Sequence, residues 1–240
     1  MTIYAIGDIH GHLDKLLRAH ARIEADRARE GTADAPVIHV GDLVDRGPDS
    51  AGVVGHLAEM VARDARVFVL LGNHDAMFLE FLTNRPPRWS DSPYLSAGIG
   101  GRETLASYGL DVALPARSLH DAAQEVVPVA HCHFLAERPR LHEAGDCVFV
   151  HAGIQPGVPL PEQNPADLIW IRDAFLFDTR DHGRLVVHGH TPVIRVEHHG
   201  NRLAIDTGAA WDGDLSAVAI EGREAWLLTE TGRLPVPRLA

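Results

Sequence analysis

The chain has 240 residues, 45% of them hydrophobic and 23% charged, which is enough apolar material to bury a sizeable core within one α/β domain. A formal charge of -11 excludes a generic nucleic-acid binder, because nonspecific affinity for a phosphate backbone comes mainly from Lys and Arg. Neither a signal peptide nor an apolar run of the ~18 residues needed for a membrane span is visible, so a soluble, cytoplasmic protein with no membrane partner is expected.

Residues 3–6 read as a first strand, short, apolar and rich in β-branched side chains, and they run into Gly7-Asp8-Ile9-His10-Gly11. A helical stretch follows, with Leu13, Leu16, Leu17, Ala21 and Ile23 at helical spacing and Arg18, Arg22, Asp26 and Arg29 on the other side. The next strand, residues 37–40, leads into Gly41-Asp42-Leu43-Val44-Asp45-Arg46-Gly47. Asp49 or Ser50 then caps a second helix carrying Val53, Val54, Leu57 and Val61. A third strand, residues 67–71, ends at Gly72-Asn73-His74-Asp75.

Residues 84–101 hold too many Pro and Gly for a regular element and read as a surface loop near the site. Helical patterns at 103–108 and 119–126 complete a cap, about residues 84–145, that shapes a substrate groove. From residue 147 onward the pattern turns mainly to strands: 147–150, closed by His151-Ala152-Gly153; 185–187, closed by His188-Gly189-His190-Thr191; then 193–198, 202–205, 216–220 and 225–228. His199-Gly200-Asn201 and Gly222-Arg223 are turn signals between them. Strand–helix alternation followed by hairpins predicts two packed sheets flanked by helices in a single domain. Cys132 and Cys147 lie in no C-x-x-C arrangement and are expected to pack as reduced thiols.

Each of the five blocks follows a strand and offers oxygen or imidazole donors. Asp8 and His10 alternate at a strand end, which places a carboxylate and an imidazole on the same side for gripping a cation. A carboxylate at Asp42 can bridge two cations through its two oxygens, Asn73 adds an amide oxygen, and His151 and His190 add imidazoles. Carboxylate, amide and imidazole donors without thiolate suit manganese, iron or zinc. Two such ions about 3.5 to 4 Å apart lower the pKa of a bridging water and clamp phosphoryl oxygens for in-line displacement.

In order and content the blocks resemble the metal-dependent phosphoprotein phosphatase family within the calcineurin-like metallophosphoesterases, the bacterial and bacteriophage lambda enzymes above all. The resemblance implies an αββα sandwich of two mixed β-sheets flanked by helices, and two divalent ions, manganese first. It places Asp8, His10 and Asp42 on one ion and Asp42, Asn73, His151 and His190 on the other. His188 inherits no role and reads as a buried strand-end residue.

The same resemblance makes His74 the general acid, with Asp45 orienting its imidazole, an assignment suited to a group that titrates near neutral pH. Arg46 would hold phosphoryl oxygens in a bidentate geometry that lysine cannot reproduce. Trp170-Ile171-Arg172 is similar to the family's Trp-x-Arg segment, which makes Arg172 a second phosphate-binding arginine. Asp75 stands where eukaryotic members carry glutamate and is expected to support its turn. His39 reads as a packed core residue, and Gly100-Gly101 with Thr104-Leu105 as a groove lining.

The leading expectation is a serine/threonine protein phosphatase acting on phosphoproteins or phosphopeptides through a metal-bridged hydroxide. The alternative is symmetrical dinucleoside tetraphosphatase. That rival typically has alanine at Asp45 and tryptophan at Thr191, but its late segment is similar to Asp206-Thr207-Gly208-Ala209-Ala210-Trp211, and the Ser-Ala-Pro-Asn-Tyr segment of eukaryotic phosphatases is absent. An inactive metal-binding scaffold is a third reading, disfavoured because no ligand or phosphate-binding position is missing.

Overall fold

The computed structural model describes residues 1–83 and 93–239. In chain order they form β1 (Thr2–Ile6), α1 (Leu13–Glu30), β2 (Val37–His39), α2 (Ser50–Arg63), β3 (Val67–Val69), α3 (Asn73–Thr83), α4 (Gly101–Ser107), α5 (Ala116–Val126) and α6 (Val129–Ala136). The second half holds β4 (Leu141–Ala144), β5 (Cys147–Val150), the one-turn α7 (Asp167–Trp170) and α8 (Asp173–Leu176), and β6 (Leu185–His188). It closes with β7 (Glu197–His198), β8 (Arg202–Ala204), β9 (Ala217–Glu221), β10 (Glu224–Thr229) and β11 (Gly232–Pro235).

Strand alternation divides the interior. On β1, Ile3 and Ala5 join Ile38, Val40, Phe149, Val187, Leu203, Val218 and Ile220 in one buried cluster. Tyr4 and Ile6 point the other way, into a cluster with Leu16, Ile23, Val53, Leu57 and Phe78 of the helices. Val148, Val150 and Val186 form a third cluster with Leu168, Ile169 and Phe175. The middle cluster lies between two sheets, of order β11-β10-β9-β1-β2-β3 and β4-β5-β6-β8-β7, and the other two lie under helices. Both sheets are mixed: β1, β2 and β3 pair parallel, as do β5, β6 and β8, while their neighbours are antiparallel. This is the expected αββα sandwich. No helix among the described residues is long and apolar enough to cross a membrane.

The helices α4, α5 and α6 pack on α2 and α3 and share the cluster of Tyr4 and Ile6 through Leu105, Leu119, Phe134 and Leu135. The region read as a cap therefore holds three helices, and it also contains β4, the edge strand of the second sheet. Of the expected loop at 84–101, residues 84–92 lie outside the described residues, and the rest contains a 3-10 turn, Pro93–Leu95. The strand expected over 193–198 is only Glu197–His198, the part paired with β8, and Ile194 is fully exposed. Asp49 is the cap of α2, accepting from the Gly52 N–H at 2.8 Å.

Candidate metal centre and active site

Every predicted block lies just beyond a strand end, after β1, β2, β3, β5 and β6, the side on which α/β sheets generally bind ligands. The backbone there is strained. Among the described residues, positive φ outside glycine occurs only at His10 (46°), Asp42 (51°), Asp45 (73°), Arg46 (68°) and His190 (63°). Each costs about 1–3 kcal/mol and persists only where surrounding structure over-determines it. The block glycines clear space for carboxylates: a Cβ on Gly72 would collide with Asp42 Oδ1, and one on Gly189 with Asp8 Oδ1.

Two buried groups of donors share Asp42. His10, Asp42 and His74 form one, and Asp42, His151 and His190 the other, with ligand atoms in each group within 4.8 Å of one another. Asp8 lies outside both groups but beside them, its Oδ2 accepting from the His190 N–H at 2.9 Å. Asn73 Oδ1 stands 2.9 Å from His151 Nε2 and 2.8 Å from His190 Nδ1. The structure thus brings all six expected ligands together.

The residues fit cations. His10 Nδ1 donates to Val44 O at 2.8 Å and His151 Nδ1 to Val40 O at 3.0 Å, so each Nε2 keeps a lone pair aimed into the site. For His151 that lone pair faces Asn73 Oδ1 and, at 3.3 Å, Asp42 Oδ1, acceptors opposite an acceptor. Asp8 Oδ1 and His190 Nε2 are buried with no hydrogen-bond partner, a costly arrangement for polar atoms that a cation would relieve. Burial, with Asp206 and Asp42 facing it, holds the Asp8 carboxyl well above the usual carboxylate range. Burial pushes His10 and His190 down to about 3, which leaves both neutral and able to ligate.

His74 and Asp45 form the other half of the site. His74 Nδ1 donates to Asp45 Oδ2 at 2.7 Å, while Tyr94 Oη and Thr104 Oγ1 each donate to Asp45 Oδ1 at 2.7 Å. With Asp45 fully buried and clamped in this way, the imidazole has one orientation, and its Nε2 faces Arg46. The Arg46 guanidinium reaches His10 Nε2 at 2.7 Å and His74 Nε2 at 3.0 Å, and it stacks over the Trp211 ring with 4.9 Å to the centroid. Arg172 sits at the exposed rim, donating to Thr191 Oγ1 at 3.2 Å, and adds positive potential at His190.

Asp75 supports its turn as expected: its carboxylate accepts from the N–H groups of Leu43 and Gly72 at 2.9 Å and of Val44 at 3.3 Å, tying the second block to the third. His188 is buried edge-on against Phe175, as a strand-end core residue. His39 is packed in the interior, yet it is also bonded to His20. The roles of four participants are not legible from sequence: Tyr94 and Thr104 reach Asp45 from 49 and 59 residues away, Asp206 faces Asp8 and Trp211 lies against Arg46, although Thr104 stands in the expected groove lining and Asp206 and Trp211 in the segment similar to the tetraphosphatase.

A family model described as calcineurin-like phosphoesterase matches residues 1–215. The chain belongs to that family. This metallophosphoesterase is 25% identical to an asymmetrical bis(5'-nucleosyl)-tetraphosphatase, PrpE, of Halalkalibacterium halodurans, over 91% of the chain and 89% of the relative. It is 25% identical to a symmetrical bis(5'-nucleosyl)-tetraphosphatase of Nitrosospira multiformis over 97% of each chain. It is also 28% identical to serine/threonine-protein phosphatase 1 of Salmonella typhimurium, over 91% of the chain and 92% of the relative. All three are hydrolases, and the chain is an enzyme of that class.

Proposed function

We propose that this metallophosphoesterase hydrolyses phosphomonoesters, with serine/threonine phosphoproteins as substrates, and that His74 protonates the leaving oxygen. The observation that carries the reading is the 2.7 Å hydrogen bond from His74 Nδ1 to a buried Asp45 held in turn by Tyr94 and Thr104. A serine or threonine alkoxide is a poor leaving group, and a fixed imidazole with a carboxylate behind it is the device that helps such a group depart. Arg46 and Arg172 would grip the phosphoryl oxygens from the buried and exposed sides of the site.

Asp8, His10 and Asp42 would hold one divalent ion, and Asp42, Asn73, His151 and His190 a second. With oxygen and imidazole donors only, manganese suits the set. When bound, such ions supply Lewis acidity and an activated water. The protein's own contribution is then orientation: strained backbone fixes His10, Asp42 and His190, and the Asp45 clamp fixes His74.

Dinucleoside tetraphosphate hydrolysis is the second reading, supported by two relatives of that name and by the exposed Trp211 beside Arg46. A nucleotide leaving group is a weaker base and needs less protonation, so the Asp45 clamp favours the first reading. Steady-state kinetics at one manganese concentration compare the two. The account expects a higher kcat/KM for phosphoserine and phosphothreonine peptides than for diadenosine tetraphosphate, and a gap that narrows in Asp45→Ala. A wild-type preference for the dinucleotide would transfer the assignment to the second reading.

A further inference from the structure

Trp211 is 56% exposed, so its indole offers apolar surface to solvent. Its loop is braced rather than loose. Lys15 Nζ donates to Ala209 O and Gly213 O, both at 2.8 Å, and the Trp211 N–H donates to Gly208 O at 2.9 Å. One side of the indole carries the Arg46 guanidinium, the same group that reaches His10 and His74. The ring therefore lies one side chain away from the imidazole read as the acid.

Beside it is a recess of about 260 Å³ lined by Arg46, Ala97, Gly98, Gly100, Glu103 and Trp211. Ala97, Gly98 and Gly100 add little bulk to that lining, and a Cβ on Gly98 would meet nothing within 4 Å. Glu103 places a carboxylate in the same lining. A recess that combines an exposed indole, small neighbours and the arginine that reaches His74 can take a planar ring.

We propose that this recess is a leaving-group subsite in which an aromatic ring of the substrate stacks on Trp211 while the phosphoryl group is held at Arg46. The proposal rests on the phosphoester-hydrolase reading. Two substrate classes present such a ring, a phosphotyrosyl side chain and a nucleobase, and the Trp211 face serves either, since stacking is tolerant of ring identity.

The test compares kcat/KM of the manganese-loaded enzyme for a phosphotyrosine peptide, diadenosine tetraphosphate and a phosphoserine peptide of matched sequence. In Trp211→Ala the ratio of ring-bearing substrate to phosphoserine peptide should fall roughly 10-fold, the usual worth of one stacked ring. Trp211→Phe should restore most of it. Gly98→Leu, which adds a bulky side chain to the lining of the recess, should produce the same selective loss. The substrate whose ratio falls identifies the source of the ring. Equal losses on all three substrates in Trp211→Ala, or an unchanged ratio in Gly98→Leu, would overturn the subsite and leave the hydrolase reading standing. Calorimetry separates the converse case: phenyl phosphate should bind more tightly than inorganic phosphate in wild type but not in Trp211→Ala, whether or not the protein turns over. Equal affinity of the two probes in wild type would overturn the subsite directly.

Discussion

Asp42 and Asp45 are three residues apart, share the left-handed backbone region, and are both buried, yet their surroundings assign them opposite tasks. Asp42 faces His10, His74 and His151 and belongs to both donor groups, whereas Asp45 spends its oxygens on Tyr94, Thr104 and His74. His74→Asn should therefore lower kcat by roughly 10² to 10⁴-fold, the usual worth of a general acid. The loss should be smaller for aryl phosphates, with metal content measured by emission spectroscopy nearly intact. Equal losses for aryl and alkyl substrates would remove His74 from the acid role. Gly189→Ala tests the geometry instead. Its Cβ would collide with Asp8 Oδ1, so the variant should fold but bind metal more weakly in a titration followed by calorimetry, and wild-type affinity would count against the packing described. Asp8, His10, Asp42, Asn73, His151 and His190 were legible because each sits in a local pattern at a strand end. The roles of Tyr94, Thr104 and Trp211 were not, because their contacts cross tens of residues and no local spacing encodes them.

At the level of elements, α1, β2 and α2 are joined by a chain of imidazoles. His39 Nδ1 donates to Phe68 O at 3.0 Å, so His20 Nε2–H donates to His39 Nε2 at 2.9 Å, and His56 Nε2–H to His20 Nδ1 at 3.4 Å. His20 and His39 can accept these bonds only when neutral. Burial holds His39 at about 4 and His20 at about 2, with Arg27 adding repulsion at His20, while Glu59 pulls His56 the other way. The folded state thus binds fewer protons than the unfolded chain, in which His titrates near 6.5. Their contribution to stability is complete above about pH 6.5 and is lost as pH falls towards 4. Urea midpoints measured between pH 7.5 and 5 should drop, and His39→Leu should flatten the slope; an unchanged slope would show that the cluster is not the source. The cap of α2 and the strands of the first half were readable from apolar spacing and a capping aspartate. Strands β4 and β11 were not, because Leu-His-Glu-Ala and Gly-Arg-Leu-Pro carry no apolar alternation and exist through pairing with β5 and β10.

For the whole molecule, a net charge of -11 means that an anionic substrate is drawn in only where local charge reverses sign. Arg46 and Arg172 supply part of that reversal, and bound cations would supply the rest over a floor of Asp8, Asp42 and Asp206. The αββα architecture was legible as a class because alternation and periodicity are whole-chain signals. The packing of α4 to α6 onto α2 and α3 was not, since it depends on which helix faces meet. Arg172→Ala should weaken inhibition by inorganic phosphate as well as catalysis, with metal binding retained; full inhibition in the variant would place that exposed arginine outside the phosphate site. The central claim is that catalysis depends on cations held by two ligand groups that share Asp42, one completed by Asp8 and His10 and the other by Asn73, His151 and His190. A manganese titration of metal-stripped wild type, Asp8→Asn and Asp42→Asn, followed by p-nitrophenyl phosphate hydrolysis, tests it most directly. The account predicts no turnover without metal and a larger loss in Asp42→Asn, which touches both groups, than in Asp8→Asn; undiminished turnover by the metal-stripped wild type would contradict it.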